Sequence, residues 1–486
     1  MEILKNQKKL IQAIIFISIM LFFGYLPPFG AITEMGMKVL GIFLGCILAW
    51  CCGEIVWPSI LGLILMGFTG YQTVAGAFSF GFGHTVVWLV VFALIFLHAF
   101  TSSNLTDTIT KYILSRKFVT KGPWYLAMAF WLVAGFVSLF ITITPAVTLV
   151  IWTFFYGTCK KVGIKPYSRY ATLVLIGICL IAELYACMMP FSVNVLTILG
   201  IYNAVMPNDP INLGFYLILG MLLSLIFVPL WLVLCKYVFC RNFELDLSNL
   251  TVLEPGEKVT VSTEQKFIMF YTLLLAAVFI APSFMPATWG ITQFINALGN
   301  PGCFAIILVL MSLTYVNGKP IIDIVEAMKV TMAWPLFFML SSAWTISAAL
   351  VTDQMGVTAT ILMYLDPILG TSSAYLFAIL VLFIGLIMTN CINNVVSMTI
   401  MIPIAMSFLP INGANPVVLT TLACLVISQG AILPSGSPLG AIMHGNKEWM
   451  TTKDVLIFTT IFVFTLTAVV AFIGYPMGTL IYNMMF

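Results

Sequence analysis

The sequence predicts an all-α polytopic membrane protein, with about 11 transmembrane helices plus two re-entrant hairpins in two inverted-topology repeats. Three observations lead there. First, 62% of the 486 residues are hydrophobic and only 8% are charged, whereas a soluble globular chain carries roughly 25% charged residues. Second, nearly all the basic residues fall on one side of the alternating spans. Third, the chain resembles itself at an offset of 250 positions, as Tyr125-Leu126 against Tyr375-Leu376 and Gly135 against Gly385 illustrate. The composition excludes a soluble enzyme, a disordered chain and a nucleic-acid binder. The net charge of +3 reflects loop lysines and no basic face.

Taken in order, the first span is 10–27, after Lys5, Lys8 and Lys9. A basic flank also precedes signal peptides, but this apolar run is too long for one, and Pro27-Pro28 stands where small cleavage-site residues belong. Further spans are read at 37–53, 55–68, 85–110, 171–199, 213–238, 267–281, 302–316, 331–351, 417–443 and 455–482. The apolar segments 123–159 and 370–410 are read as hairpins that enter and leave on one side. With the N-terminus cytoplasmic, 19 of the 20 lysines and arginines become cytoplasmic and only Lys38 falls outside, as the positive-inside rule expects. A single crossing by 123–159 would place Lys121 and Lys160 on opposite faces and destroy that bias. The C-terminus is then extracellular.

The first repeat therefore occupies 1–238 and the second 266–486. A cytoplasmic connector, 239–265, carries Glu244, Asp246, Glu254 and Glu257. A multi-pass protein of the cell membrane is expected, most simply a bacterial inner membrane. Trp57, Trp88, Trp124 and Trp289 near span ends read as interface anchors. The 11 cysteines show no metal spacing, and most lie in apolar runs where cysteine acts as a small hydrophobe.

Each hairpin reaches a polar break inside apolar sequence: Thr142-Ile143-Thr144-Pro145 in the first, Thr389-Asn390-Cys391-Ile392-Asn393-Asn394 in the second. A helix with its own interruption follows each hairpin. In 171–199 the interruption holds Glu183, Tyr185, Pro190, Ser192 and Asn194; in 417–443 it holds Ser428-Gln429-Gly430 and Pro434-Ser435-Gly436-Ser437-Pro438. A helix broken in mid-membrane frees backbone groups, which is tolerable only where they line a cavity or meet a ligand. Serine, threonine and proline in single membrane helices usually have a structural role. Four breaks in repeat-related positions instead mark a transporter binding site.

At these residues the chain resembles the divalent anion–sodium symporter family of the wider ion-transporter superfamily. The resemblance covers the hairpin and broken-helix unit twice. Its most specific stretch is Ile432-Leu-Pro434-Ser-Gly-Ser-Pro438-Leu-Gly-Ala-Ile, similar to the family's Leu-Pro…Thr-Pro-Pro-Asn-Ala signature. The family's hairpin tips read Ser-Asn-Thr. Here the first reads Thr142-Ile143-Thr144, without the amide, and the second Asn393-Asn394-Val395, without the hydroxyl. Isoleucine cannot coordinate sodium, so the resemblance implies a degraded first sodium site. It implies a second ion site at Thr389, Asn394 and Gly430. It further implies a secondary transporter of small organic anions, C4-type dicarboxylates foremost, as symporter or exchanger, with an elevator motion of a transport domain past a scaffold and a homodimeric assembly. Substrate would meet Thr142, Thr144, Asn393 and Asn394, with Ser192, Asn194, Ser435 and Ser437 on the facing loops.

Glu183 lies within a predicted span directly before a break. An ionisable residue at membrane depth is a functional candidate by default, here as a proton carrier; a neutral glutamic acid bonded between helices is the structural alternative. The coupling ion is thus sodium or a proton, with no other cofactor, no metal and no nucleic acid as partner. Rival readings are a cation/proton antiporter using Glu183, and a membrane-embedded enzyme using His84, His98 or His444 with Glu183. The enzyme lacks HExxH or paired-carboxylate spacing. A channel fits an occluding pair of broken helices less well.

Overall fold

The computed structural model describes residues 2–52, 54–142, 144–241, 243–245, 247, 260–286, 288–350, 352–360, 363–364, 372–392, 394–434 and 436–486. Asn393, Ser435, Ile143 and most of the 239–265 connector lie outside the described residues.

Among the described residues the fold is helical apart from one two-residue ladder, Tyr315–Val316 with Lys319–Pro320. The first half runs α1 (Glu2–Phe22), α2 (Glu34–Cys51), α3 (Val56–Met66), α4 (Val74–Gly83), α5 (Thr85–Ser102), α6 (Leu105–Leu114), α7 (Pro123–Ser138), α8 (Thr144–Val162), α9 (Arg169–Ala186), α10 (Val193–Val205) and α11 (Leu213–Val233). The second runs α12 (Thr263–Ile280), α13 (Gly290–Leu313), α14 (Ile324–Thr331), α15 (Trp334–Leu350), α16 (Ala374–Cys391), α17 (Asn394–Ser407), α18 (Pro416–Ile427), α19 (Pro438–Gly445), α20 (Thr452–Val469) and α21 (Tyr475–Met485).

Among the described residues six helices are long and apolar enough to cross a membrane, and two bent pairs raise the number to eight. The difference from eleven spans has identifiable causes. The span read at 85–110 stops at Ser102, because Asn104 takes a left-handed conformation, φ 52°, and amphipathic α6 starts anew. An unforeseen α4 precedes it, bent by 43° against the 87–102 helix. The span at 331–351 is preceded by α14 at an 81° bend. The span at 302–316 is the second part of α13, whose Gly299 has φ 62° before Pro301. Among the remaining short apolar helices are hairpin arms and halves of broken helices, which need not span.

Two groups of helices pack separately. In one, α15 packs on α2, α3 and α4, while α5 packs on α13 and α14. In the other, α7 and α8 lie side by side on α9, and α16 and α17 lie on α18, with α11, α20 and α21 around them. The groups meet where α10 packs on α5 and α15 and where α17 packs on α15. Helix α9 is the most enclosed of the long helices, with 89% of its residues buried. A helix apolar on all sides belongs inside protein or lipid, and here it lies inside protein.

The two glycines matched by the 250-position offset do equivalent work. A Cβ on Gly135 would stand 3.1 Å from the Tyr185 ring, and one on Gly385 3.0 Å from Ile427. Each glycine lets a hairpin's first arm press against the end of the broken helix. Of the tryptophans read as interface anchors, Trp88 and Trp289 are 44% and 54% exposed, and Trp57 donates to the Glu54 carboxylate at 3.2 Å. Trp124 instead is buried edge-on against Tyr170, because α7 starts on the shoulder of α9.

Candidate functional site

The site consists of two crossings, each made where a hairpin tip meets a broken helix. In the first, Ser168 caps α9 by accepting from Ala171 N at 3.3 Å, and the apolar run holds the helix to Ala186. The chain then turns through 187–192: Cys187 N bonds Glu183 O at 3.0 Å and Met188 N bonds Tyr185 O at 3.1 Å. Pro190 has no amide to continue a helix, and α10 restarts at Val193.

Glu183 sits on the last turn of α9, 7% exposed. The Thr144 hydroxyl, at the first residue of α8, donates to its Oε2. Asn194 Nδ2 donates to Oε1 at 2.8 Å, and the Cys187 thiol approaches the same oxygen at 3.7 Å. A buried carboxylate lacking partners would be prohibitive; this one is enclosed by a hydroxyl, an amide and a thiol, with no cation among those partners. Both protonated and ionised forms can be held there. The role of Cys187 is not expected from its place in an apolar run, where cysteine reads as a small hydrophobe; its i+4 relation to Glu183, which puts both on one helical face, is the signal in the sequence.

In the second crossing, Asn415 caps α18 through Val418 N at 3.0 Å and the helix ends at Ile427. The Thr389 hydroxyl lies 2.8 Å from Asn394 Oδ1 and 2.5 Å from Ile427 O. Asn394 Nδ2 donates to Ser428 O at 3.0 Å. Gly430 is required by space: a Cβ there would stand 2.2 Å from Asn394 Oδ1, 2.7 Å from Thr389 O and 2.8 Å from Thr389 Oγ1. Gly436 has the same function next door, since its Cβ would meet Gly430 O at 2.7 Å. Two glycines therefore bring hydroxyl, amide and carbonyl oxygens into one neutral, oxygen-only cluster. Such a donor set suits a hard cation such as sodium.

Asn390, beside this cluster, bridges the hairpin and the loop, accepting from Ile432 N at 2.8 Å and donating to Leu386 O at 2.8 Å. Gln429 is 1% exposed, and neither of its side-chain polar atoms has a partner among the described residues. A buried amide so placed calls for a ligand or an ordered water. In the sequence, Gln429 stands in the break as an amide beside a glycine within an apolar run, which is the only local sign of this position.

The other expected residues separate. Thr142 is half-buried and makes no hydrogen bond among the described residues. Ser437 caps α19, accepting from Gly440 N at 3.2 Å. Ser192 is buried at the start of α10 without a side-chain cap bond. Thr144 and Asn194, expected on substrate, are engaged by Glu183. Asn393 and Ser435 lie outside the described residues. His84 stacks on Trp344 at 4.6 Å and His444 lies 2.8 Å from Ile432 O, so the hydrogen bonds found at Glu183 come from threonine, asparagine and cysteine.

Four helices begin at the two crossings: α8, α10, α17 and α19. Their N-termini offer positive dipole ends to an anion, with Pro145 and Pro438 lacking an N–H and Gly440 N already taken by Ser437. Among the described residues no lysine or arginine takes part in the hydrogen bonds of either crossing.

Comparison with known families and structures gives two findings. Residues 46–423 match a family model described as a citrate transporter. A solved structure, the YdaH transporter of Alcanivorax borkumensis, whose report describes an unusual topology, aligns with a TM-score of 0.54 over 84% of this chain and 87% of that chain, at 13% identity. That likeness concerns the fold. No curated protein matches the sequence.

Proposed function

The chain belongs to the citrate transporter family and is a multi-pass secondary transporter; from that premise we propose that it moves small organic anions bearing two or three carboxylates, C4-type dicarboxylates foremost, by alternating access. The observation that carries this reading is the pair of crossings. Four helix N-termini supply the positive ends for carboxylates, and the side chains add amides and hydroxyls without a fixed cation. Since no lysine or arginine among the described residues bonds into either crossing, the anion's charge is balanced by co-ions. The first crossing is read as the proton site, at Glu183, and the second as a sodium site, at Thr389, Asn394 and Gly430. Gln429 joins Asn394 and Thr142 as a group facing substrate.

Movement is read as an elevator, with α7–α11 and α16–α21 sliding against the group built on α2–α5 and α13–α15, within a homodimer. What supports this is the limited meeting of the groups through α10 and α17. The orientation supported by the basic residues has a cytoplasmic N-terminus and an extracellular C-terminus, in a bacterial inner membrane.

The test is uptake of labelled succinate and labelled citrate into proteoliposomes, under an inward sodium gradient, an inward proton gradient, or preloading with unlabelled anion. Gradient-driven uptake of either anion is expected. Uptake on preloading alone would make the protein an exchanger, and indifference to every carboxylate would remove the reading. The enclosed carboxyl of Glu183 favours one second reading, a cation/proton antiporter. Proton flux that ignores organic anions yet collapses in Glu183→Gln would establish it.

A further inference from the structure

Away from both crossings, a groove of about 920 Å³ opens between the start of α7 and the end of α11, on the face that gathers the basic residues. Lys121, Trp124, Tyr125, Lys236, Tyr237 and Arg241 line it. The three cations are exposed, and among the described residues none of them makes an ion pair. Among the described lining residues Glu244 is the acid, so they carry three positive charges against one negative. The first turn of α7 also faces the groove; its N-cap, Gly122, supplies no side-chain acceptor. That helix end adds its positive dipole end to the three cations, through the Trp124 amide, since Pro123 has no N–H and the Tyr125 and Leu126 amides are bonded to Gly122 O.

Two aromatic contacts and one hydrogen bond brace the floor of the groove. Trp124 is buried edge-on against Tyr170, at 5.5 Å between ring centres, and Tyr170 stacks on Phe243 at 4.5 Å. Arg169 Nη1 donates to Phe239 O at 3.2 Å, holding the turn that follows α11. The connector's first residues are thereby clamped to the shoulder of α9.

One further observation separates a lipid from a dissolved anion. A strip of exposed apolar side chains descends from the groove: Tyr237 at 60%, in the π-helical turn Leu234–Phe239 that continues α11, then Val233 at 49%, Ile226 at 37% and Leu222 at 37% on α11. The spacing of four and seven residues keeps Leu222, Ile226 and Val233 on one face of α11. Tyr125, 53% exposed, sits at the groove's mouth, as amphipathic rings do at the depth of lipid headgroups. A soluble phosphate has no use for that strip, whereas acyl chains do.

We propose that this groove is a binding site for the phosphate headgroup of an anionic phospholipid, with Lys121, Lys236 and Arg241 on the phosphate and the α11 strip along the acyl chains. Basic pockets between membrane helices recognise anionic headgroups through this combination. The site joins the start of the first hairpin to the connector between the two repeats.

Native mass spectrometry of the full-length protein, titrated with phosphatidylglycerol or phosphatidylcholine, tests the proposal. Preferential retention of phosphatidylglycerol is expected, and the triple variant Lys121→Gln, Lys236→Gln, Arg241→Gln should weaken it by about 10- to 100-fold. The charge-keeping triple variant Lys121→Arg, Lys236→Arg, Arg241→Lys should retain it. If the neutral triple variant is not recovered, Arg241→Gln alone, at an exposed position, should lower retention about fivefold. Equal retention by neutral variants and native protein would overturn the proposal. Displacement of the lipid by millimolar inorganic phosphate would also overturn it, assigning the groove to a soluble anion.

Discussion

In the first half of the molecule, Thr144 reaches from the hairpin to a side-chain carboxyl, that of Glu183; in the second, Asn394, its counterpart 250 positions later, reaches to a backbone carbonyl, that of Ser428. The framework is shared: a glycine pressing the hairpin on the broken helix, a polar residue opening the second arm, and a helix end supplying acceptors. The contents differ in charge. The first crossing contains its own ionisable group, held by Thr144, Asn194 and Cys187. The second contains neutral groups, its oxygens drawn together because Gly430 and Gly436 lack a Cβ. A transporter built from two similar halves need not use them alike: one can bind a proton covalently and the other coordinate a metal cation.

The largest effect should come from the second crossing, where nothing can give. Gly430→Ala would drive a methyl group into Asn394 Oδ1 and Thr389, and uptake in proteoliposomes should fall by about 100-fold or more, with the helical circular-dichroism signal unchanged. Asn394→Ala, which removes the bond to Ser428 O, should likewise abolish transport in a folded protein. Near-normal uptake by either variant would sink the assignment of this crossing.

Glu183→Gln tests the other side of the comparison. The amide can still meet Thr144, but it carries no exchangeable charge. Uptake driven by a proton gradient should be lost, with exchange of labelled for unlabelled anion retained. In the native protein, uptake should rise as the external pH falls, and in the variant it should be flat. A pH response left intact by Glu183→Gln would show that the first crossing is structural.

Thr144→Val removes one hydrogen bond to the carboxyl. Bonds to charged groups contribute about 1.5–3 kcal/mol, so proton-driven uptake should drop by about tenfold or more, and Thr144→Ser should restore most of it. The smallest expected effects separate the matched glycines. Gly135→Ala pushes on the rigid Tyr185 ring and should cost about 1–3 kcal/mol of stability, seen as a lower midpoint of thermal unfolding in detergent. Gly385→Ala meets the flexible end of Ile427 and should cost less. Equal losses would mean that both hairpins are clamped alike.

Much of this fold is legible in the sequence because lipid imposes a simple rule: apolar length makes a helix, and basic residues choose a face. The hairpins, the breaks and Glu183 follow from where that rule is violated. The bends at Asn104 and Gly299 do not, since a left-handed residue leaves no mark on hydropathy. The role of Cys187 and the buried amide of Gln429 are not legible either, because each depends on a neighbour elsewhere in the fold or on the absence of one among the described residues. Trp124 looked like an interface anchor only while α9 was unknown beside it.

By itself, the sequence determined the class of the protein, its helical elements, the doubled hairpin and broken-helix unit, and the presence of one carboxyl at a break. Composition and periodicity are local properties, and the membrane converts them directly into elements. Only the tertiary structure decided that Thr144, Asn194 and Cys187 surround Glu183, while Thr389, Asn394 and two glycines gather neutral oxygens. It also decided that Lys121, Lys236 and Arg241 share one groove. Those arrangements depend on distances of a few ångströms between residues far apart in the chain, and those distances are set by how the helices pack.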